Sequence, residues 1–261
     1  MSIDLNSIAK TGTPAPPRIL LYGVHGIGKS TFASEAKNPI FIRTEDGLAG
    51  IKSSAFPVAK TFDDVIEALR TLYKEDHNFD TVVLDSLDWC EPLVWSHTSK
   101  LHGKENIEDF GYGKGYVIAL DYWRQIIDGF NALRNDRNMT VVLTAHCEVK
   151  RFDAPDSEPY DRYQPKMHKA SSAMFQEWAD VLGFANYKVH TKESDTGFGQ
   201  KRTRAVGSGE RLLHTTERPT HLAKSRYDIP ETMPLKWSTL ANSIAEALSD
   251  GTSINSKTKV N

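Results

Sequence analysis

The amino-acid sequence predicts an α/β domain, a mainly parallel sheet flanked by helices with an antiparallel extension toward the C-terminus. Three observations predict it. Short apolar runs at 18–22 (RILLY), 40–43 (IFIR), 81–84 (TVVL) and 139–145 (MTVVLTA) alternate with longer amphipathic stretches. That order builds a parallel sheet covered on both faces. A glycine-rich turn joins the first apolar run to a helical segment. Beyond residue 181 the segments VLGFANYKV and ERLLHT flank a polar loop at 191–209, the pattern of a hairpin added to the sheet.

Each element has its own warrant. Residues 1–17 are polar and end in Pro14, Pro16 and Pro17, which favours an extended, flexible arm over a helix. The first strand, 18–22, leads into a helix at 30–37 that Asn38-Pro39 stops. After the second strand, Thr61 opens a helix with a Thr-x-x-Asp capping spacing to Asp64. Val65, Ile66, Leu69, Leu72 and Tyr73 give that helix one apolar face. The third strand ends at Asp85, and a helix near 115–134 carries Trp123, Ile126, Ile127, Phe130 and Leu133 toward the core. A fourth strand at 139–145, the hairpin and a last helix near 238–248 complete one domain, 18–248. The tail 249–261 lacks apolar periodicity and is expected to be flexible.

Composition narrows the function classes. A chain of 261 residues with 39% apolar side chains can bury a large core, which excludes disorder. No apolar run reaches the roughly 20 residues needed to span a bilayer, and residues 1–17 hold no apolar signal region. A cytoplasmic protein without membrane contact is expected. Cys90 and Cys147 are too few for a zinc site and read as reduced thiols. With a net charge of −2, any nucleic-acid contact must come from local basic patches.

The strongest motif is Gly23, Val24, His25, Gly26, Ile27, Gly28, Lys29 and Ser30, which satisfies G-x-x-x-x-G-K-[ST] after a strand and before a helix. Its glycines let successive amides face phosphate oxygens, and the helix start adds its positive dipole end. Lys29 can reach the β and γ phosphates of ATP, the Ser30 hydroxyl can hold Mg²⁺, and Thr31 can reach the α phosphate. Asp85, an acid at the carboxyl end of a buried strand, is the natural second Mg²⁺ ligand. Glu45, just past the second strand, is a candidate base for the attacking water, with Asp46 as its competitor.

Together these residues resemble the RecA-type P-loop ATPase core. The phrases VHGIGKST, VVLDSL, VVLTAH and AKSRYDIP look most like phage-encoded nucleotide-binding proteins, among them the RecA-like single-strand annealing ATPases. The resemblance spans about residues 18–245 and favours Glu45 over Asp46 as catalytic glutamate. It implies that Lys224 and Arg226, in LAKSRYDIP, reach a neighbouring subunit's γ-phosphate, which requires a ring or filament of identical chains. It also implies a γ-phosphate sensor at Thr144 or His146, where the fourth strand ends.

In that fold two loops line the path of single-stranded DNA. The corresponding segments are 148–169, with Lys150 and Arg151, and 192–209, with Phe198, Lys201, Arg202 and Arg204. Cations would meet phosphates while rings stack on bases. The expected function is therefore a Mg-ATP-dependent phage recombination ATPase that binds single-stranded DNA and promotes annealing or strand pairing. A single-strand binding protein or a replication component is its candidate protein partner, in a host bacterial cytoplasm. Its alternative is an assembly or replication-accessory ATPase that acts on a protein partner. A small-molecule kinase ranks last, since it leaves Lys224 and Arg226 without a role. The glycine-rich run 111–116 reads as a helix entrance, and His97 and His102 lack further metal ligands.

Overall fold

In the computed structural model, residues 15–153, 158–195 and 201–257 are described, with side chains for all of these except 189–195, 201–208 and 250–257. In chain order the elements are β1 (Arg18–Gly23), α1 (Lys29–Ser34), β2 (Pro39–Arg43), β3 (Ser54–Ala55), α2 (Phe62–Lys74), β4 (Thr81–Asp85), α3 (Leu87–Leu101), α4 (Lys114–Asp136) and β5 (Thr140–Phe152). There follow β6 (Tyr160–Pro165), α5 (Lys169–Trp178), β7 (Val181–Asp195), β8 (Lys201–His214), β9 (Lys224–Ser225), β10 (Thr232–Pro234) and α6 (Trp237–Lys257). A 3-10 turn, Ile107–Phe110, precedes α4.

The sheet runs β10-β8-β7-β1-β5-β4-β2-β3, with β6 paired to β5 and β9 to β7. From β7 to β3 every neighbouring pair is parallel, whereas β8, β10, β6 and β9 pair antiparallel. This is the parallel α/β sheet with an antiparallel extension that the alternating apolar runs predict. Strand side chains alternate between its two faces. Leu20 and Tyr22 pack with Val82, Leu84, Leu143, Leu69, Trp123, Phe130 and Phe175 on the face covered by α2–α5. Ile19 and Leu21 pack with Phe32, Leu213, Leu240 and Ile244 on the face covered by α1 and α6. The central strands are buried on both sides, which is why they read as unbroken apolar runs.

Several elements differ from expectation. α1 ends at Ser34, three residues early. The fourth strand is β5, which continues to Phe152 and pairs with β6, so much of 148–169 is a ribbon rather than a loop. The loop expected at 191–209 is largely the continuation of β7 and β8, whose pairing extends to Asp195 and Lys201. α3 and α5 are helices that the apolar pattern does not predict; α3 buries Glu91, Thr98 and Ser99 and carries Pro92. α6 continues to Lys257 instead of ending at 248. Among the described residues no helix is long and apolar enough to cross a membrane.

Candidate active site

β1 ends between β5 and β7, with Gly23 in register with His146 and Ala185. An ideal Cβ on Gly23 would lie 2.2 Å from the Ala185 carbonyl oxygen, so the strand can pass here only as glycine. The loop that follows turns through positive φ at Gly26 (70°) and Gly28 (102°), and Gly28 caps α1. Such a succession of backbone turns gathers amide hydrogens into a concavity for anions. Ile27 is fully buried and anchors the loop from beneath.

Lys29 is only 7% exposed, and its Nζ donates to the carbonyls of Gly23 and Val24, 3.2 Å each. Burial pulls its pKa down. Ser30 Oγ donates to Asp85 Oδ2 at 2.7 Å, and Thr144 Oγ1 donates to the other oxygen of the same carboxylate. Asp85, 4% exposed, thus gathers β4, α1 and β5 at one point. Thr44 joins the ends of β2 and β4: its amide donates to the Asp85 carbonyl, and its hydroxyl bonds both the amide and the carbonyl of Ser86. Glu45 follows, its Oε1 accepting from Ser86 Oγ at 2.9 Å. Asp46 turns outward toward Arg43, 3.6 Å away.

His146 completes the rim. Its amide donates to Asp88 Oδ1 at 3.0 Å, its Nδ1 is hydrogen-bonded to Asp88 Oδ2 at 2.8 Å, and its ring stacks on His25 with centroids 4.4 Å apart. Burial alone would raise the Asp88 pKa, but the hydrogen bonds from His146 outweigh it and hold the carboxyl below its ordinary value. The His25 pKa is lowered, first by the neighbouring His146 and then by burial and Lys29.

Gly23, Val24, His25, Gly26, Ile27, Gly28, Lys29, Ser30, Asp85, Glu45, Thr144 and His146 therefore meet at the carboxyl ends of the parallel strands. Thr31, in the first turn of α1, is exposed beside them. Lys224 and Arg226 lie elsewhere. Arg226 pairs with Asp180 at 3.0 Å and donates to the Glu177 carbonyl, as does Lys224 Nζ. Asp180 also binds Arg18 at the start of β1. This cluster sits at the opposite ends of the strands, roughly 17 Å of β1 away from the loop. Within one chain it does not join the site.

Of the segments expected to meet DNA, Lys150 and Arg151 lie on the outer half of β5, paired with Glu148 (2.7 Å) and Asp153 (3.3 Å). Lys201, Arg202 and Arg204 lie on β8 opposite Asp195, Ser194 and Lys192. Phe198 lies outside the described residues. Cys90 is buried and Cys147 half-buried, both thiol pKa values raised by burial. His97, partly buried, packs against Phe62 and Tyr122 and lies 3.8 Å from Asp63.

Three groups at the site carry no signal in the sequence. Asp88 belongs to α3, which the periodicity hides. Tyr187 and Arg211 are opposite one another on β7 and β8 and reach the loop only through that register. Tyr187 Oη donates to the Gly26 carbonyl at 3.4 Å, and Arg211 Nη1 lies 2.8 Å from where a Cβ on Gly28 would be.

The donors suit a nucleotide triphosphate with Mg²⁺. A buried lysine held only by carbonyls beside a glycine-formed amide concavity is a site for an anion. A hydroxyl and one carboxylate are hard oxygen ligands of the kind Mg²⁺ takes together with phosphates. Among the described residues no group of three or more His, Cys, Asp or Glu could cage a metal without such help.

A family model described as an AAA domain matches residues 15–227. The SPbeta prophage-derived uncharacterized protein YorG of Bacillus subtilis (strain 168) is 23% identical over 218 residues, covering 82% of this chain. The match covers 60% of that relative, so the chain corresponds to only part of its length. The crystal structure of the RadB recombinase aligns with a TM-score of 0.43 at 15% identity, over 80% of this chain and 86% of that one.

Proposed function

The chain belongs to the AAA-domain family of P-loop ATPases, and from that premise we propose that it is a Mg-ATP-dependent, RecA-like recombination ATPase of phage origin that binds single-stranded DNA and promotes annealing or strand pairing. The prophage origin of the YorG relative supports the source. In this reading the amides of 24–30 and Lys29 bind the phosphates, and Ser30 and Asp85 hold Mg²⁺. When bound, Mg²⁺ neutralises charge on the phosphate oxygens. Glu45, fixed by Ser86, orients the attacking water and takes its proton. Thr144 and His146 read the γ-phosphate through their hydrogen bonds to Asp85 and Asp88.

The observation that carries the DNA reading is the continuity of β5. One strand runs from Thr144 and His146 at the site to Lys150 and Arg151 on the ribbon, so a change at the phosphate end is transmitted along a hydrogen-bonded element. Phe152, at the ribbon's tip, sits under the Arg162 guanidinium, whose carbon lies 3.7 Å from the ring centroid and which also pairs with Glu217 at 3.0 Å. ATP hydrolysis measured with and without single-stranded DNA across a salt series, with Lys29→Ala as the blank, tests it. Stimulation that fades with salt is expected. Turnover indifferent to DNA overturns it and favours an assembly ATPase acting on a protein partner, a reading favoured by the pairing of Lys150 and Arg151 with Glu148 and Asp153.

Assembly into rings or filaments follows if Lys224 and Arg226 act on a neighbour's nucleotide. Arg226→Ala is then inactive alone and is partly restored by mixing with Glu45→Gln subunits, which supply the missing arginine. Mixtures as inactive as either parent would remove Arg226 from that role.

A further inference from the structure

β8 brings an arginine to the phosphate loop from within the same chain. Beyond its parallel pairing with β1, which ends at Gly23↔Ala185, β7 runs on past the loop, and β8 returns alongside it. Tyr187 and Arg211 are the cross-strand pair at that point. Tyr187 Oη holds the Gly26 carbonyl, and the Arg211 guanidinium lies against Gly28.

The charges around Arg211 are unbalanced. The nearest acid in sequence, Glu210, is engaged by Lys188 at 2.9 Å. Arg211 itself makes no side-chain hydrogen bond or ion pair with any described residue. Lys29, the other cation at the loop, is held by two carbonyls. An exposed, unpaired guanidinium beside converging amides is a ready partner for an anion. An arginine fork matches phosphate oxygens through charge-assisted hydrogen bonds.

We propose that Arg211 is a nucleotide-phosphate ligand supplied in cis by the β7–β8 hairpin, beside the amides of 28–31 that take the α and β phosphates. The assignment rests on the nucleotide site described above. It distinguishes Arg211 from Arg226, which can act only on a neighbouring chain. It also ties nucleotide binding to the hairpin whose outer half carries Lys201, Arg202 and Arg204, through one pair of hydrogen-bonded strands.

The test is equilibrium binding of a fluorescent ATP analogue to the full chain, competed with ATP and with ADP. Wild type, Arg211→Gln, Arg211→Lys and Lys29→Ala are compared, and each apo protein is melted. Loss of one charge-assisted phosphate contact is expected to weaken ATP and ADP alike by about 10- to 100-fold in Arg211→Gln. Arg211→Lys, which keeps the charge, recovers part of that loss, and the apo melting temperature does not move because the side chain is exposed. Arg211→Gln that binds both nucleotides as wild type does, while Lys29→Ala loses them, overturns the inference and leaves the nucleotide site standing. Weakening of ATP with ADP unaffected overturns the α/β placement. A loss that Arg211→Lys does not relieve, accompanied by a lower apo melting temperature, makes Arg211 structural and also overturns it. Wild type that binds neither nucleotide overturns the underlying site as well.

Discussion

Ser86 gives Glu45 its orientation, because a carboxylate on a loop otherwise samples many rotamers, and here one oxygen is held at 2.9 Å. Glu45→Gln keeps the shape but cannot accept a proton, so hydrolysis falls by about 100-fold or more while nucleotide binding persists. Turnover and binding measured on one preparation check this, and retained turnover shifts the base role to Asp46. Gly28 is constrained twice, by a φ of 102° and by the Arg211 guanidinium 2.8 Å from its missing Cβ. Gly28→Ala therefore strains the loop by about 1–3 kcal/mol, enough to weaken nucleotide binding sharply while the sheet stays folded. Circular dichroism beside nucleotide titration separates the two effects. At this scale the site was half legible. Lys29, Ser30 and Asp85 announce themselves by spacing, whereas Arg211 and Asp88 are ordinary charges until strand register and a hidden helix bring them in.

α2 shows how local chemistry sets an element. The Thr61 hydroxyl accepts from the Asp64 amide, and the Asp64 carboxylate accepts from the Thr61 amide, so two free donors at the helix start are satisfied reciprocally. Thr61→Ala costs about 1 kcal/mol, read as a lower urea midpoint with an unchanged slope. α2 was legible because its cap and its apolar face, Val65, Leu69 and Leu72, agree. α3 was not, because Glu91 is buried to accept from the His168 amide and Ser171, which breaks the apolar stripe. β5 was legible only over its apolar half. Its outer half is held on one side by β6, with Val149, Lys150 and Arg151 exposed in succession, so polar residues such as Glu148, Lys150 and Arg151 suit it and no apolar run marks it.

Across the molecule, the buried face of the antiparallel extension carries a pH dependence. His221 is 5% exposed, stacks on Phe184 with centroids 5.0 Å apart, and lies beside His214. Burial, then the neighbouring His214, lowers its pKa to about 4, with the Arg218 charge acting in the same direction and the Thr216 backbone opposing. The unfolded chain, with an ordinary histidine near 6.5, binds this proton more readily than the folded one. Stability is complete above about pH 6.5 and falls as pH drops toward 4, by about 3 kcal/mol across that window. Urea unfolding at intervals from pH 7 to 4 checks it: His221→Gln flattens the profile, and an equally steep profile in the variant assigns the effect elsewhere.

The length of β5 has a mechanical consequence. Its first residues are clamped between β1 and β4, and the β1 pairing continues to His146. From Cys147 outward it is braced by β6 alone. A beam fixed over one half and free over the other bends where the clamp ends. That fulcrum falls at His146, whose bonds to Asp88 set the stiffness of the hinge. An angular change of a few degrees there swings the tip at Phe152, roughly 20 Å away, by more than an ångström.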